Sequence, residues 1–538
     1  MKPMIRTGLL LAISALSSGG CKQDKAPGGH ADPSSETDGI FVEPPVLVMS
    51  DNLNCPLVGA VRLTTAVPTT VVVAGTVGGD PWSRTFDTLQ TEHDLTLLGF
   101  RADAEHEFRV TVVEEGGEPT EWDGALTAVT SPLPADFPAF EVLISEPDQM
   151  EPGLTVFNAT FRESGRAEYG VVVDDKGHVV WFVTDPMGVG LFGRLDDGNM
   201  YYGSDRYGAA VVDMWGDVVE AWHTTFAPTH SPGSLLMESE FVHHDVIELP
   251  NGNLLTFGME LIFHPDYPTS EVFPNAPDAA ALVATDLIVE FARDGSTVRE
   301  TAATDLIDTT RIGFDSVTGN WWSAFLGESV MDWTHGNALF YDETDDTILA
   351  SFRHQDAVVK FSRTTGELIW ILAPNENWSP EFQPYLLTPT EPDFRYAYHQ
   401  HGVKVTPDGT ILMFDNGNNQ ASAFEDRTFG VDIASRAVEF AVDPAAMTLA
   451  KVWHWDDLPG PNFAIAQGDA DVMPATNNVL ITYGDLPELT PDTPSAHIVE
   501  VTRDASEEIV FHLEFATGAR IYRSQRVDSL YPPAQAGF

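Results

Sequence analysis

The chain has 538 residues, more than one ordinary domain holds, so we expect two domains behind a leader. It carries 28 Lys and Arg against 81 Asp and Glu, and its formal charge of −53 repels nucleic acid and anionic lipid surfaces, which argues against nucleic acid as a partner. In so acidic a protein an anionic substrate needs local positive groups, so an arginine beside a site is unusually informative.

The N-terminus predicts export. An apolar run, Leu9–Leu16, follows two basic residues and leads through the small residues Ser17–Gly20 to Cys21. This pattern is typical of a bacterial lipoprotein signal over residues 1–21, in which the thiol is acylated and anchors the protein to a membrane. Cleavage within SSGG without lipidation is the alternative. Either way we expect an exported protein in the periplasm or on the outer surface, and Cys55 then has no intrachain disulfide partner.

Two segments follow before the main domain. Residues 22–40 are rich in Pro, Gly and Ser and lack periodicity, which predicts a flexible tether. Short alternating runs such as TTVVVAGTV and HEFRVTVVEE then predict a small β-sandwich over residues 41–132. The segment LGFRADAEHEFRV resembles the region around the tyrosine corner of fibronectin type III domains, with His106 where tyrosine is usual. We therefore expect a sandwich of the fibronectin type III kind.

Residues 139–538 repeat two kinds of hairpin signal. One is a turn followed by an apolar strand, as in LPNGNLLTFG and TPDGTILMFDNG, and the other resembles DxxGxVxW, as in DDKGHVVWFV. Pairing them gives about six four-stranded units, so we predict an all-β fold with a six-bladed β-propeller, seven or eight blades remaining open. One blade would take outer strands from Tyr169–Val183 and be completed by the C-terminal ARIYRSQRVDSLYP. Insertions at 259–285 and 374–395 would be loops over one face.

The stretch from Asp332 to Gln355, DWTHGNALFYDETDDTILASFRHQ, predicts a hairpin with its turn at Asp342–Asp346. That register places His335 opposite Arg353. Asn337, two residues from His335, would project from the same face of the strand. An imidazole, a carboxamide and a guanidinium would then converge on one spot, a combination that a core does not need.

The same layout recurs twice. His244 in FVHHDVIELPNG and His401 in YHQHGVKVTPDG each precede a turn proline by six positions, and His335 stands six before its own turn. Because the first strand of every propeller blade lines the central channel, three such strands would direct three imidazoles at a shared axis. The neighbouring His243 would face the other way. We therefore expect a cluster of histidines that lines a cavity.

Three histidines could hold a transition metal, which is the strongest competing chemistry. An arginine aimed into the site disfavours a cation, however. Arg353 could instead make bidentate contacts to a tetrahedral oxyanion group while neutral His401 attacks its central atom. There is no phosphate-binding Gly-rich loop and no GxSxG elbow, so we expect neither a metal nor any other cofactor.

Several ordered blocks of the chain resemble those of the bacterial arylsulfate sulfotransferases. They are HHDVIELPNGNLL, DWTHGNALFYDETDDTILASFRHQDAVVKFSRTTGELIWIL, QHGVKVTPDGTILMFDNG and RIYRSQRVDSLYP, and they span roughly Phe140 to the C-terminus. The resemblance implies an enzyme with a sandwich ahead of a six-bladed propeller. Such an enzyme moves a sulfuryl group from a phenolic sulfate donor to a phenol acceptor through a sulfated histidine, without a nucleotide donor.

The resemblance also implies the roles of individual residues. His401 would be the nucleophile, and the residues around the sulfuryl group would be His244, His335, Asn337 and Arg353. His399 lies two residues before His401 on the same face, so the sequence leaves open which imidazole is attacked. A metal-dependent propeller hydrolase and a non-catalytic binding propeller at the cell surface are the alternatives. The oligomeric state is open, with a homodimer among the options.

Overall fold

The computed structural model describes residues 39–163, 165–185, 188–204, 207–428, 433–460, 462–490 and 493–532. The predicted signal with Cys21 and nearly all of the predicted tether lie outside these residues. Strands dominate the described part, and its α-helices, α1 (Ala303–Leu306) and α2 (Trp321–Leu326), are short. No helix in that part is long and apolar enough to cross a bilayer. The prediction of an all-β fold is confirmed.

The N-terminal part of the chain forms one six-stranded sheet. Its strands are β1 (Phe41–Met49), β2 (Val58–Val77), β3 (Asp80–Leu98), β4 (Glu105–Glu114), β5 (Thr120–Glu121) and β6 (Leu126–Val129). The long strand β2 pairs with β1 and β3 in its first half and with β3 and β4 in its second, and its register with β3 shifts between Thr64 and Val71. Apolar residues of both halves, such as Val61 and Val73, enter one core. Strand β2 therefore links β1 to β4 within one hydrogen-bonded sheet, and the sandwich stays a prediction.

His106 is the residue that the sequence comparison aligns with the corner tyrosine of fibronectin type III domains. Its Nε2 lies 3.2 Å from the main-chain oxygen of Arg101, and its ring packs edge-on against Phe100. Burial lowers the pKa of His106, so a neutral imidazole donates this N–H to the carbonyl. The histidine thus makes the hydrogen bond to upstream backbone that the tyrosine hydroxyl makes in a tyrosine corner.

The main domain begins at residue 140. Its first strands are β7 (Phe140–Ser145), β8 (Leu154–Phe161), β9 (Tyr169–Val173), β10 (Val179–Thr184), β11 (Leu191–Arg194), β12 (Met200–Ser204), β13 (Gly208–Val212), β14 (Val218–His223), β15 (Leu235–Leu236), β16 (His243–Glu248), β17 (Leu254–Tyr267), β18 (Ala279–Phe291) and β19 (Thr297–Ala302). After α1 and α2 come β20 (Met331–Asp332), β21 (Gly336–Asp342), β22 (Thr347–Phe352), β23 (Ala357–Ser362), β24 (Leu368–Leu372), β25 (Thr388–Pro389), β26 (His401–Val405), β27 (Ile411–Asp415), β28 (Arg436–Asp443), β29 (Thr448–Trp455), β30 (Asp469–Val472), β31 (Val479–Tyr483), β32 (Ala496–Val501), β33 (Ile509–Phe515), β34 (Ala519–Arg520) and β35 (Ser524–Val527).

These strands form six sheets. From the inside outwards the sheets are β35–β8–β9–β10, β11–β12–β13–β14, β16–β17–β18–β19, β21–β22–β23–β24, β26–β27–β28–β29 and β30–β31–β32–β33, with β7 added outside β33. The innermost strands of neighbouring sheets contact one another in order, from β35 and β11 round to β26 and β30, and β35 meets β31 to close the ring. Within the described residues the predicted six-bladed β-propeller is therefore confirmed.

Both ends of the domain close the ring. The C-terminal strand β35 pairs with β8, with Ser524 opposite Phe157, and so completes the first blade as predicted. The strand β7 pairs with β33 on the outside of the last blade. An ion pair of 2.6 Å between Arg526 of β35 and Glu500 of β32 joins the closing strand to that blade, and both side chains are buried.

One of the two predicted insertion loops is regular structure. Strand β17 continues to Tyr267 and β18 starts at Ala279, so most of 259–285 is a long hairpin and the prediction of a loop is wrong there. The alternating residues of LIFHPDY and AALVATD let the two strands pair beyond the blade. The second insertion, 374–395, contains a 3₁₀ turn at Gln383–Tyr385 and the short strand β25.

Breaking the closing ion pair should destabilise the fold. Arg526→Met keeps the length of the side chain but leaves the Glu500 carboxylate buried without its cation, so we expect the free energy of unfolding to fall by about 3–5 kcal/mol. Chemical denaturation followed by circular dichroism measures this loss. The matched control is Arg62→Met, because the Arg62–Asp94 pair is more than half exposed and should matter by less than about 1 kcal/mol. Equal losses in the two variants would contradict this account of closure.

Candidate active site

A cavity of about 690 Å³ lies where the inner strands of the ring begin. Each blade contributes to its wall a residue at or just before its inner strand: Gly190, His244, His335, His401, Gln467 and Tyr522. Connecting segments add further wall residues, among them Asp315 and Trp321. The six-fold arrangement therefore gathers side chains from distant parts of the sequence into one space.

Local breaks in strand geometry aim the three histidines into this cavity. His244 and His335 have left-handed backbones, with φ of +59° and +52°, and Gly402, which follows His401, has a φ of +62°. At each of these places the pairing between the inner strand and its neighbour skips residues, as in a β-bulge. A regular strand alternates its side chains between two faces, whereas a bulge re-aims one of them. The bulges explain why imidazoles from three blades meet.

His335 lies in the middle of a group of rings. Its ring centroid is 4.7 Å from that of His244 and 4.5 Å from that of His354, on which it stacks at 19°. Nδ1 of His335 donates to Asp332 at 2.8 Å, so Nε2 is the nitrogen that can exchange protons with a ligand. Burial alone would raise the pKa of Asp332, but His335 and His354 outweigh burial and hold that pKa below its ordinary value. Asp332 therefore stays ionised and can stabilise a positive charge on His335.

His244 is held from behind by His243, with 2.8 Å between their Nδ1 atoms. Nε2 of His243 lies 3.2 Å from the main-chain oxygen of Gly258 and 3.2 Å from a carboxylate oxygen of Asp286, so Nε2 carries a proton. The two Nδ1 atoms share one proton in this contact, which fixes the ring of His244 against that of His243. His243 thus faces away from the cavity, as predicted, and orients His244.

Arg353 brings a guanidinium to the cavity wall. Its main-chain N–H donates to the oxygen of His335 at 3.1 Å, so the two residues face each other across the hairpin as predicted. The side chain is only 10% exposed, and Nη1 donates to Asp315 at 3.2 Å while Nη2 donates to the main-chain oxygen of Ile465 at 3.2 Å. Because a guanidinium has five N–H donors, others can bind an anion.

His401 is buried and neutral. Its Nδ1 lies 2.6 Å from Oδ1 of Asn416, and its Nε2 accepts a long hydrogen bond of 3.3 Å from the main-chain N–H of Gln467. Burial lowers the pKa of His401 well below 6.5, and the positive charge of Arg353 lowers it further. The imidazole therefore keeps a lone pair on Nε2 at neutral pH, which is the form that a nucleophile needs.

The pKa of His399 is shifted in the opposite direction to that of His401. Nδ1 of His399 lies 2.9 Å from Asp356 and its Nε2 3.3 Å from Asp315, so both ring nitrogens meet carboxylates. Burial and the charge of Arg353 oppose protonation, but the two carboxylates outweigh them and raise the pKa of His399 above its ordinary value. His399 is fully buried and does not line the cavity. Of the two imidazoles that the sequence left open, His401 is the one with a lone pair at the cavity.

Asn337 does not join this group. It is fully buried behind the wall, and its Nδ2 donates to the main-chain oxygen of Gln400 at 2.7 Å. The prediction that Asn337 shares a face with His335 is wrong, because the left-handed backbone of His335 and the register shift between Gly336 and Ala338 break the alternation of the strand. Asn337 instead ties β21 to the start of the next blade.

Trp321 supplies an aromatic surface beside the imidazoles. Its ring centroid lies 4.7 Å from that of His244 and 5.4 Å from that of His335. Trp322, which is fully buried, packs edge-on against it at 4.5 Å and fixes helix α2 in a small core. The cavity therefore has a rigid apolar face next to its titratable groups.

Sequence reasoning missed several residues of the site, namely Asp332, His354, Asn416 and Trp321. The first two lie inside the hairpin that the sequence singled out, beside predicted residues. Asn416 stands two residues beyond Phe414, which pairs with His401, so the strand register would have found it. Trp321 lies on a connecting segment that the repeat pattern does not describe, so no signal pointed to it.

Asp332, His335 and His354 offer three potential ligand atoms within 4.8 Å of one another, the spacing of a metal site. The two imidazoles are stacked nearly parallel, however, with centroids 4.5 Å apart. A nitrogen lone pair lies in the plane of its ring, so stacked rings direct theirs side by side and do not converge on one ion at about 2.0–2.1 Å. The arrangement favours hydrogen bonding among the three groups over metal binding.

The sequence profile of one protein family, Arylsulfotransferase (ASST), matches residues 140–523. Two relatives are both named arylsulfate sulfotransferase AssT. The protein from Escherichia coli O6:H1 is 32% identical over 169 residues, 28% of this chain and 28% of its own. The protein from Lelliottia amnigena is 30% identical over 148 residues, 24% of each chain. The chain thus spans about a quarter of the length of the curated relatives it matches.

Solved structures are more distant. A putative 6-phosphogluconolactonase from Bacteroides fragilis covers 86% of this chain and 99% of its own, with 13% identity and a TM-score of 0.34. A putative 6-phosphogluconolactonase from Bacteroides uniformis covers 85% of this chain and 99% of its own, with 12% identity and a TM-score of 0.34. Similarity at this level carries no statement about activity.

Proposed function

The chain belongs to the arylsulfotransferase family, and we propose that it transfers a sulfuryl group from a phenolic sulfate ester to a phenol through a sulfated His401. Family membership supports the class of reaction, because the family match covers residues 140–523 and so most of the propeller. The mechanism rests on one observation, the meeting of these side chains in one cavity. His401, whose Nε2 accepts a hydrogen bond and whose pKa is lowered by burial, shares that cavity with the guanidinium of Arg353 and with the imidazoles of His244 and His335.

In the first half-reaction Nε2 of His401 attacks the sulfur of the donor. The N–S bond forms as the bond between sulfur and the aryl oxygen breaks, and the electron pair leaves on the phenolate oxygen. By analogy with phosphoryl transfer, negative charge spreads over the sulfuryl oxygens and the departing oxygen in a loose transition state. Arg353 stabilises the sulfuryl oxygens, and a protonated His335, backed by ionised Asp332, donates a proton to the phenolate.

The second half-reaction runs the same steps backwards with a different phenol. The acceptor gives its proton to His335 and attacks the sulfur, the N–S bond breaks, and the lone pair returns to Nε2 of His401. His401 and His335 thus both return to their starting state. The two half-reactions predict ping-pong kinetics.

The aryl group of either substrate packs against Trp321. The phenolic oxygen must reach His335 or His244 to exchange a proton, and the Trp321 ring lies within 5.4 Å of both imidazoles. The charged groups then bind the sulfuryl oxygens while the indole binds the aromatic ring. Arg353 at the cavity wall also offsets the repulsion that a net charge of −53 exerts on an anionic donor.

The alternatives fit the site less well. A metal-dependent hydrolase needs ligands whose lone pairs converge, and the stacked rings of His335 and His354 do not provide them. A propeller that only binds a partner gains nothing from a buried, neutral imidazole that presents its lone pair to a cavity.

We further propose that the protein is exported and anchored to a membrane through an acylated Cys21. The basic, apolar and small-residue pattern that ends at Cys21 supports this placement. The phenols that it uses would then be met in the periplasm or at the outer surface.

The reaction and its nucleophile are tested together with a chromogenic aryl sulfate. We expect added phenol to speed the release of the coloured phenolate, and His401→Ala to abolish turnover because no lone pair remains to attack sulfur. Brief exposure to donor alone should leave a sulfuryl adduct on His401, which peptide mass spectrometry locates. His178→Ala is the matched control, since that imidazole is 46% exposed on the outside of a blade. Turnover by His401→Ala, an adduct on His399, or loss of activity to a chelator would each contradict the proposal.

The pH dependence of kcat/KM should have its acid limb below pH 6.5. The attacking His401 must be neutral, and its lowered pKa keeps it neutral at pH values where an ordinary histidine is already charged. Activity is therefore retained as the pH falls through 6.5 and is lost only further down. Arg353→Met removes a charge that lowers this pKa, so it should move the limb to higher pH as well as slow the reaction. An acid limb at or above pH 6.5 in the unmodified enzyme would contradict the assignment.

Replacing the indole should weaken the binding of the aryl group. Trp321→Ala removes the aromatic surface but none of the reacting groups, so we expect KM for the phenol to rise about tenfold, which corresponds to about 1.4 kcal/mol, with a smaller change in kcat. The KM of Trp321→Phe for the phenol should lie between those of the unmodified protein and of Trp321→Ala. The control is Phe263→Ala, because Phe263 is 71% exposed and lies outside the cavity. An unchanged KM in Trp321→Ala would show that the aryl group of the substrate does not pack against Trp321.

A further inference from the structure

Two histidines that are neighbours in the sequence have partners of different chemistry. The ring nitrogens of His399 meet the carboxylates of Asp356 and Asp315, whereas Nδ1 of His401 meets the carboxamide of Asn416 at 2.6 Å. A carboxylate stabilises a charged imidazolium, but a carboxamide oxygen only accepts a hydrogen bond and adds no charge. The difference in partners therefore matches the opposite directions in which the pKa values of the two rings are shifted.

The orientation of the Asn416 amide is fixed by the backbone around it. Its Nδ2 lies 2.9 Å from the main-chain oxygen of Ala464 and 2.8 Å from that of Gln467. Both oxygens can only accept, so the two amide hydrogens are used there and the amide cannot be turned round. The side chain is fully buried. Oδ1 must therefore face His401, and it must accept.

The contacts around His401 all indicate one tautomer. Nδ1 has two acceptors, Oδ1 of Asn416 and the main-chain oxygen of His399 at 3.2 Å. Nε2 has a donor, the main-chain N–H of Gln467 at 3.3 Å. The proton of the neutral ring thus lies on Nδ1, and the lone pair lies on Nε2.

The charged groups near His401 act in the same direction. Arg353, His335 and Arg523 each lower the pKa of His401, so they oppose a second proton on its ring. Two carboxylates of that region have partners of their own: Asp245 pairs with Arg523, and Asp332 accepts a hydrogen bond from His335. The sequence FDNG places the carboxamide of Asn416, rather than a carboxylate, at the shortest of the three contacts that indicate the tautomer.

We propose that Asn416 is a positioning residue that sets the tautomer of His401, so that Nε2 is the nitrogen that bonds to sulfur and Nδ1 keeps its proton through both half-reactions. The consequence for catalysis rests on the proposed sulfuryl transfer, whereas the tautomer itself does not. Once Nε2 carries the sulfuryl group, the retained Nδ1 proton makes the ring cationic. Breaking the N–S bond then releases a neutral imidazole instead of an imidazolate, which is the far poorer leaving group.

The tautomer can be measured without substrate. In protein labelled with ¹⁵N-histidine, comparison with His401→Gln identifies the signals of His401, and we expect a protonated Nδ1 with an unprotonated Nε2. Asn416→Leu removes the main acceptor, so the signals should move towards a mixture of tautomers. In the aryl sulfate assay the same variant should lose on the order of 100-fold in kcat with little change in KM, because the binding groups are untouched.

Two further variants separate positioning from a general loss of structure. In Asn416→Asp a side-chain oxygen can still accept the Nδ1 proton, so we expect the tautomer to be kept and turnover at alkaline pH to exceed that of Asn416→Leu. Ser435→Ala removes a hydroxyl that donates to the main-chain oxygen of Asn416 at 2.7 Å, and so loosens the same loop without touching the carboxamide. In Ser435→Ala the tautomer of His401 should be the same as in the unmodified protein, even if the variant is less stable.

The outcomes are distinct. A His401 protonated on Nε2 in the unmodified protein, or an Asn416→Leu variant with the Nδ1 tautomer and full kcat, would overturn the proposal. If Asn416→Leu does not fold, the spectra of the unmodified protein and of Asn416→Asp decide. A protein with the Nδ1 tautomer that fails to turn over aryl sulfates would leave the role of Asn416 in setting the tautomer standing and would reject the proposed function instead.

Discussion

Removal of imidazoles from water is the physical constraint on which the site depends. Burial always disfavours the charged ring, so a buried histidine stays neutral unless nearby carboxylates outweigh the cost of burying its charge. Burial prevails at His401, and it lowers the pKa of His354 to about 3. It is overcome at His399, which two carboxylates contact. One strongly acidic chain can therefore hold a neutral nucleophile beside cations, because the charge of each ring depends on its immediate partners and not on the net charge of the protein.

The fold provides these partners by closing a ring of blades. Asp245 shows how closely the blades depend on one another: its carboxylate accepts from the main-chain N–H of Leu339 in the next blade at 2.7 Å and from Arg523 near the C-terminus at 2.8 Å. Gly402 has a similar role at the nucleophile. A Cβ there would lie 2.9 Å from the backbone of Asp469, and its φ of +62° disfavours other residues. Small breaks in regular strands, held by neighbouring blades, turn a structural ring into a site.

The sequence was enough to predict the propeller, its closure by the C-terminal strand and the meeting of His244, His335, His401 and Arg353. Those predictions rest on strand alternation and turn spacing, which report the register of one strand against the next. Alternation fails where a bulge interrupts it, and for that reason Asn337 lies behind the wall and not in the cavity. The roles of Asn416 and of the carboxylates around His399 depend on contacts between blades that are distant in sequence, so no local pattern could reveal them. Trp321 lies on a connection whose path is set by tertiary packing.

A crystal structure of the protein, frozen after exposure to an aryl sulfate without an acceptor, is the most direct test of a sulfated His401. We expect a sulfuryl group covalently bonded to Nε2 of His401, with its oxygens in contact with Arg353 and with Nδ1 still bonded to Asn416. A sulfuryl group on any other residue, or a metal ion held by Asp332 and His335 in its place, would contradict it.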